Sequence, residues 1–239
     1  MSQSFHPAQH RQLIEVHPET IAPKFEYNNE TLNDRWIVEY IFPNRRNGYF
    51  VEAGAANGRA ASSCYILETE LDWTGICIEP NESFFQKLIE NRPHSICENV
   101  CLADQPGKVT FIQGDGLHSS YLSGIKTNLE QFKSGSAEIL QEGAVLEKEA
   151  VTLVSLLEKH NAPNVIDYGA FDIEGSELDV LQNFPFDRYR FLALTMECDE
   201  SVWEQLFPIL ARYGYRQVSN PFNPKMHWEK YCLHESVEW

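Results

Sequence analysis

"GYFVEAGAANG", residues 48–58, is the stretch that decides the fold. Tyr49, Phe50, Val51 and Glu52 form an extended run of strand-favouring character. The chain then breaks at Gly54-Ala-Ala-Asn-Gly58, and a helical pattern follows from Arg59. A strand that enters a helix through a glycine turn is a common cradle for nucleotide-like ligands. The dinucleotide fingerprint G-x-G-x-x-G is not met, because positions 56, 59 and 61 are not glycine. Glu52 at the lip of the turn also opposes a pyrophosphate by like-charge repulsion. The expected ligand is one that welcomes a carboxylate.

Outward from this turn the rhythm is strand, turn, helix. "RAASSCYILETEL" (59–71) reads as a helix, "GICIEP" (75–80) as a strand buried on both faces, and "ESFFQKLIENRP" (82–93) as a helix ended by Pro93. "SICENVCLAD" (95–104), "GKVTFIQG" (107–114), "VIDYGAFDI" (165–173) and "YRFLALTMEC" (189–198) read as strands. "SELDVLQNF" (176–184) and "SVWEQLFPILARYG" (201–214) read as helices, and "YRQVS" with "EKYCLH" as a closing antiparallel pair. The alternation predicts an α/β fold, a mainly parallel sheet with helices on both faces. Residues 1–45 read as an N-terminal arm and helical cap, the helix being "TLNDRWIVEYIFP" (31–43), and residues 46–239 as the main domain. The Gly-, Ser- and charge-rich segment 115–148 breaks the rhythm and is expected to be an insertion over the active edge of the sheet.

Composition narrows the partners. The 239 residues carry a formal net charge of −16, which disfavours nucleic-acid phosphate and anionic membrane surfaces alike. No window has the apolar length of a membrane helix. Six cysteines without a C-x-x-C pair, several within apolar runs, suit a reducing compartment, so the expected location is cytoplasmic. The N-terminal arm is a candidate homodimer contact.

S-adenosylmethionine answers the question set by Glu52. It carries an amine and a sulfonium, no phosphate, and a ribose that needs an acceptor. Glu79 follows Gly54 by 25 positions and ends the second strand, near the usual place of a ribose-binding acid. Glu52 is therefore expected at the methionine end and Glu79 at the sugar.

"FVEAGAANG", "GICIEPN", "NVCLAD" with "GKVTF", "FDIEGSELDVLQNFPF" and "LALTMECDE" together resemble the FkbM family of S-adenosylmethionine-dependent methyltransferases. The resemblance spans about residues 49–234 and implies a Rossmann-like class I methyltransferase fold, with a seven-stranded sheet and an antiparallel C-terminal strand. It implies methylation of a hydroxyl on a sugar or other small polar metabolite. It also implies that Gly54, Ala55, Asn57 and Gly58 wrap the methionine portion, that Glu79, Pro80 and Asn81 line the ribose, and that Leu102, Ala103 and Asp104 flank the adenine. Asn57 stands where such turns often carry Asp, and Cys101 and Cys198 interrupt otherwise ordinary strand ends.

The chemistry is expected beyond the strand ends. Asp172 ends one strand and Glu197 the next, so the two carboxylates face one crevice, Asp172 beside the sulfonium. Two hard oxygen donors there are candidate ligands for Mg²⁺ or another divalent cation, which would acidify a substrate hydroxyl. Glu177 and Asp179 fall in a first helical turn and are assigned to the helix dipole. His118, in the insertion, is the leading candidate general base. A nicotinamide oxidoreductase and a non-catalytic cofactor-binding or scaffold domain on the same fold remain alternatives at this stage.

Overall fold

The computed structural model describes residues 23–114, 121–131 and 136–237. His118 and most of the N-terminal arm, residues 1–22, lie outside the described residues.

The strands are β1 (Tyr49–Ala53), β2 (Thr74–Ile78), β3 (Ile96–Glu98), β4 (Cys101–Leu102), β5 (Gly107–Gln113), β6 (Gly124–Ile125), β7 (Ala144–Val151), β8 (Val165–Phe171), β9 (Arg190–Glu197), β10 (Tyr215–Val218) and β11 (Glu229–His234). Seven of them form one sheet in the order β10-β11-β9-β8-β1-β2-β3. The pairs β1–β2, β2–β3, β1–β8 and β8–β9 are parallel, while β11 runs antiparallel to both β9 and β10. The strand order reverses beside β1, and the C-terminal ends of β1, β2, β8 and β9 share one edge, which is where open α/β sheets bind ligands.

The helices are α1 (Asn33–Arg35), which passes into a π-helical turn over Trp36–Ile41, then α2 (Tyr65–Leu71), α3 (Glu82–Asn91), α4 (Lys126–Leu129), α5 (Ser136–Glu142), α6 (Leu153–Lys159), α7 (Glu177–Leu181) and α8 (Glu200–Arg212). Period-2 alternation along β1 divides the core. Val51 and Ala53 pack with Leu153, Leu157, Leu181 and Leu206, whereas Phe50 packs on the opposite face with Trp36, Leu67, Leu71 and Leu88. The expected helix at 31–43 is thus present and seals the second layer.

Two expectations change. The segment 59–64 is not helical: Ala61 is left-handed at φ +60°, and the N–H groups of Ser63 and Cys64 are drawn to Glu52, so α2 starts only at Tyr65. The 115–148 segment contributes β6, α4, α5 and half of β7 in its described parts. β7 pairs antiparallel with the whole of β5, completing a second sheet of order β4-β7-β5-β6. β7 is exposed along its first four residues and carries Glu147, Lys148 and Glu149, so it lacks the alternation that marks a half-buried strand. Among the described residues, no helix is long and apolar enough to cross a membrane.

Candidate active site

The turn after β1 is pinned from both sides. The N–H groups of Gly54 and Ala55 donate to the Ile78 carbonyl at 3.0 and 3.1 Å, and Asp172 N–H donates to the Ala53 carbonyl at 3.0 Å. Gly54 has φ +81°, and a Cβ there would lie 1.8 Å from the Asp172 carbonyl oxygen, so only glycine lets β1 and β8 meet.

Glu52 does not line the main cavity; it borders a small recess beside it with Gly54, Asp172 and Glu197, and its carboxylate is held from the other side. Its period-2 position aims it into the α2–α3 layer, where it is 3% exposed. Oε1 accepts from Ser62 Oγ and Ser63 N at 2.7 Å and from Cys64 N at 3.2 Å. Oε2 takes the Arg92 guanidinium at 2.7 Å. Arg92 is itself fully buried, and its Nε reaches Glu68 Oε2 at 2.6 Å. Its Nη1 also donates to Ser62 Oγ at 3.2 Å and to the Gly58 carbonyl at 3.4 Å. The acid at the end of β1 therefore holds the glycine turn together from behind. Ser62 and Ser63 serve the same anchor.

On the ligand side lies a cavity of about 700 Å³, within the range of small-molecule sites. Gly54, Ala55, Glu79, Pro80, Leu102, Asp172 and Glu197 line it. Glu79 is 5% exposed; its Oε2 accepts from Ala56 N at 2.8 Å and its Oε1 from Asn81 N at 2.7 Å. Each oxygen keeps a second lone pair, so the oriented carboxylate can accept from two neighbouring hydroxyls. Ile78, Val100, Leu102 and Phe111 make an apolar slot beside it. Asn57, Gly58, Asn81, Ala103 and Asp104 are not on the cavity wall. Asn57 Oδ1 closes the turn on Arg59 N and Ala60 N at 2.9 and 2.8 Å. Asn81 caps α3 by accepting from Ser83 N at 3.0 Å and donates to Ser123 Oγ at 3.2 Å. Gly58 packs on Leu88 and Arg92, and Asp104 is exposed.

The mouth is acidic. Asp172 and Glu197 line it with Glu30 and Glu174, and among the described residues no Lys, Arg or His does. Asp172 is open to water in the mouth yet surrounded by protein; burial, then the charges of Glu30 and Glu52, push it up to about 6. Burial, then Asp172 and Glu30, push Glu197 up to about 8. Glu174, left-handed at φ +52°, is pushed up to about 10 by burial and by Asp172. Glu177 accepts from Ile173 N at 2.9 Å, in the turn before its helix; burial pushes it up to about 8, so the expected helix-dipole role gains no support, and among the described residues its Oε2 has no hydrogen-bond partner. Asp179 accepts from Asn128 Nδ2 at 3.0 Å. No group of three His, Cys, Asp or Glu among the described residues is disposed to hold a metal ion. The expected divalent cation at Asp172 and Glu197 thus gains no support from the described residues.

These carboxyls set a pH dependence of stability. Asp172, Glu79, Glu197 and Glu177 all have folded values raised above their ordinary ones, to about 6, 7, 8 and 8. The folded state therefore binds more protons than the unfolded chain, and stability is lost as pH rises through the folded values. The ligand-free protein is expected to show a Tm that falls between about pH 5 and pH 9. A scanning-calorimetry series showing a rising Tm across that window contradicts the electrostatic picture.

Glu30, Phe111, Tyr121 and Ser123 were not foreseen at the site. Glu30 belongs to the polar stretch read as an arm, and the others lie on or beside the second sheet, so no local pattern marks them. Tyr121 packs on Phe84 with ring centroids 4.9 Å apart.

The cavity fits S-adenosylmethionine: an oriented carboxylate for the ribose, an apolar slot for a flat base, acids for the cationic end, and no cationic side chain for a diphosphate among the described residues. Fold and site together define a Rossmann-like class I S-adenosylmethionine-dependent methyltransferase. The chain belongs to the FkbM methyltransferase family, since the family described as "Methyltransferase FkbM domain" matches residues 52–217. No curated protein matches it. Among solved structures, it is similar to a TehB-like SAM-dependent methyltransferase from Corynebacterium glutamicum, with 10% identity, 84% of each chain covered and TM-score 0.42. It is also similar to Aeropyrum pernix fibrillarin in complex with natively bound S-adenosyl-L-methionine, with 14% identity, 80% of this chain and 69% of that one covered, and TM-score 0.40. A human methyltransferase 10 domain containing protein shows 13% identity over 85% of this chain and 80% of that one, with TM-score 0.42. The class rests on the strand order and the family, not on these likenesses.

Proposed function

We propose that the protein methylates a hydroxyl of a neutral, polar small molecule, a sugar being the favoured class. The observation that carries this reading is the make-up of the cavity wall, which presents carboxyl groups and, among the described residues, no Lys, Arg or His. An anionic acceptor has no counter-ion there. A neutral polyol can donate its hydroxyls to Asp172, Glu174 and Glu197, and the Phe84–Tyr121 pair offers an aromatic face to a sugar ring.

When bound, S-adenosylmethionine supplies an electrophilic methyl group. Glu79 and Pro80 hold the ribose, Gly54 and Ala55 border the methionine portion, and Leu102 flanks the base. Asp172 faces the positive charge. Glu197, pushed up to about 8, is the general base: its oxygen accepts the alcohol proton near working pH. The net charge of −16 supports a small-molecule partner over nucleic acid or an anionic membrane. Six unpaired cysteines support a reducing, cytoplasmic location.

The test is methyl transfer from labelled S-adenosylmethionine to a panel of neutral sugars, aminosugars and peptide amines. A methyl ether on a neutral hydroxyl compound is expected. Methylation confined to amines would overturn the proposal while leaving the family intact. Glu79→Ala should weaken S-adenosylhomocysteine binding by about 10²-fold, the loss of about two charge-assisted hydrogen bonds. Calorimetry giving an affinity within about threefold of wild type removes Glu79 from the ribose site.

A further inference from the structure

We propose that Cys77 and Cys97 form a reversible thiol–disulfide pair, with Cys97 the entry point for a small-molecule disulfide. The two residues are in direct register on the parallel strands β2 and β3. Neighbouring strands lie about 4.8 Å apart, inside the Cα separation of about 4.4–6.8 Å that a disulfide needs. Both side chains belong to the same apolar layer. β3 is the last strand of the main sheet, so Cys97 sits on an edge and is only half-buried, whereas Cys77 is enclosed.

The chemistry divides between them. The neighbouring Cys77 thiol and the Arg92 charge lower the Cys97 thiol below its ordinary value, which favours the nucleophilic thiolate. Burial holds Cys77 well above its own, and its Sγ lies 3.9 Å from Glu52 Oε2. Cys97 therefore attacks one sulfur of the incoming disulfide; a new S–S bond forms and one thiolate leaves. Cys77 then attacks the Cys97 sulfur, the second thiolate departs, and the Cys77 proton ends on it. Two protein thiols are oxidised to one disulfide, and the reagent is reduced to two thiols. The cross-link forms one residue before Ile78, whose carbonyl pins the cofactor turn, and it removes the Cys77 thiol proton that faces Glu52.

The full-length reduced protein is incubated with oxidised glutathione, and its peptides are mapped without reduction. A Cys77–Cys97 cross-linked peptide that dithiothreitol reverses is expected. Cys77→Ser should stop at a glutathione mixed disulfide on Cys97, and Cys97→Ser should leave Cys77 free. Wild type that keeps both thiols free, stops at the mixed disulfide, or cross-links either cysteine elsewhere overturns the proposal.

Discussion

Glu197→Gln is expected to lower kcat by about 10²–10⁴-fold, the contribution of a positioned general base. The side chain keeps its shape but no longer takes up a proton. Wild-type activity should rise with pH through about 8, since burial and the Asp172 charge hold the carboxyl protonated below that value. The variant should lose this rise while its affinity for S-adenosylhomocysteine stays within about threefold. That combination separates a proton acceptor from a residue that only shapes the mouth. A variant with wild-type kcat and an unchanged pH profile would move the base elsewhere, and His118 would be the next residue to replace.

Arg92→Met should have the largest effect on folding. The guanidinium is enclosed between Glu52 at 2.7 Å and Glu68 at 2.6 Å, with the Phe50 ring 5.1 Å from its carbon. Removing it leaves two buried carboxylates facing each other without a cation. Breaking a buried pair from one side costs about 3–5 kcal/mol. Urea unfolding followed by circular dichroism should register that loss, together with a weakened cofactor turn, because Arg92 also binds the Gly58 carbonyl. The triple variant Arg92→Met, Glu52→Gln, Glu68→Gln should recover part of the stability. A single variant within about 1 kcal/mol of wild type would show that the network is not buried in solution.

Much of the fold was legible because its signals are local. Apolar runs at Phe50–Val51, Ile76–Ile78 and Phe191–Leu194 mark buried strands, and the glycine turn after Ala53 marks the switch point. The place of Glu79 on the cavity wall was legible for the same reason, as a strand-end acid at a known spacing. The anchoring of Glu52 was not legible, because two strand-end acids look alike in one dimension. What separates them is a partner 40 residues on, Arg92, which only the packing of α3 brings beneath β1. Glu30 escaped because the chain must fold back across the strand ends before it reaches the mouth. β7 escaped because an exposed, charged strand carries no apolar alternation.

The most direct test of the account is a crystal structure with S-adenosylhomocysteine. The account predicts the ribose hydroxyls on the Glu79 carboxylate, the base against Leu102 and Phe111, and the sulfur turned toward Asp172 and Glu197. A ligand whose ribose meets no carboxylate at Glu79, or whose amino group displaces Arg92 from Glu52, would contradict it.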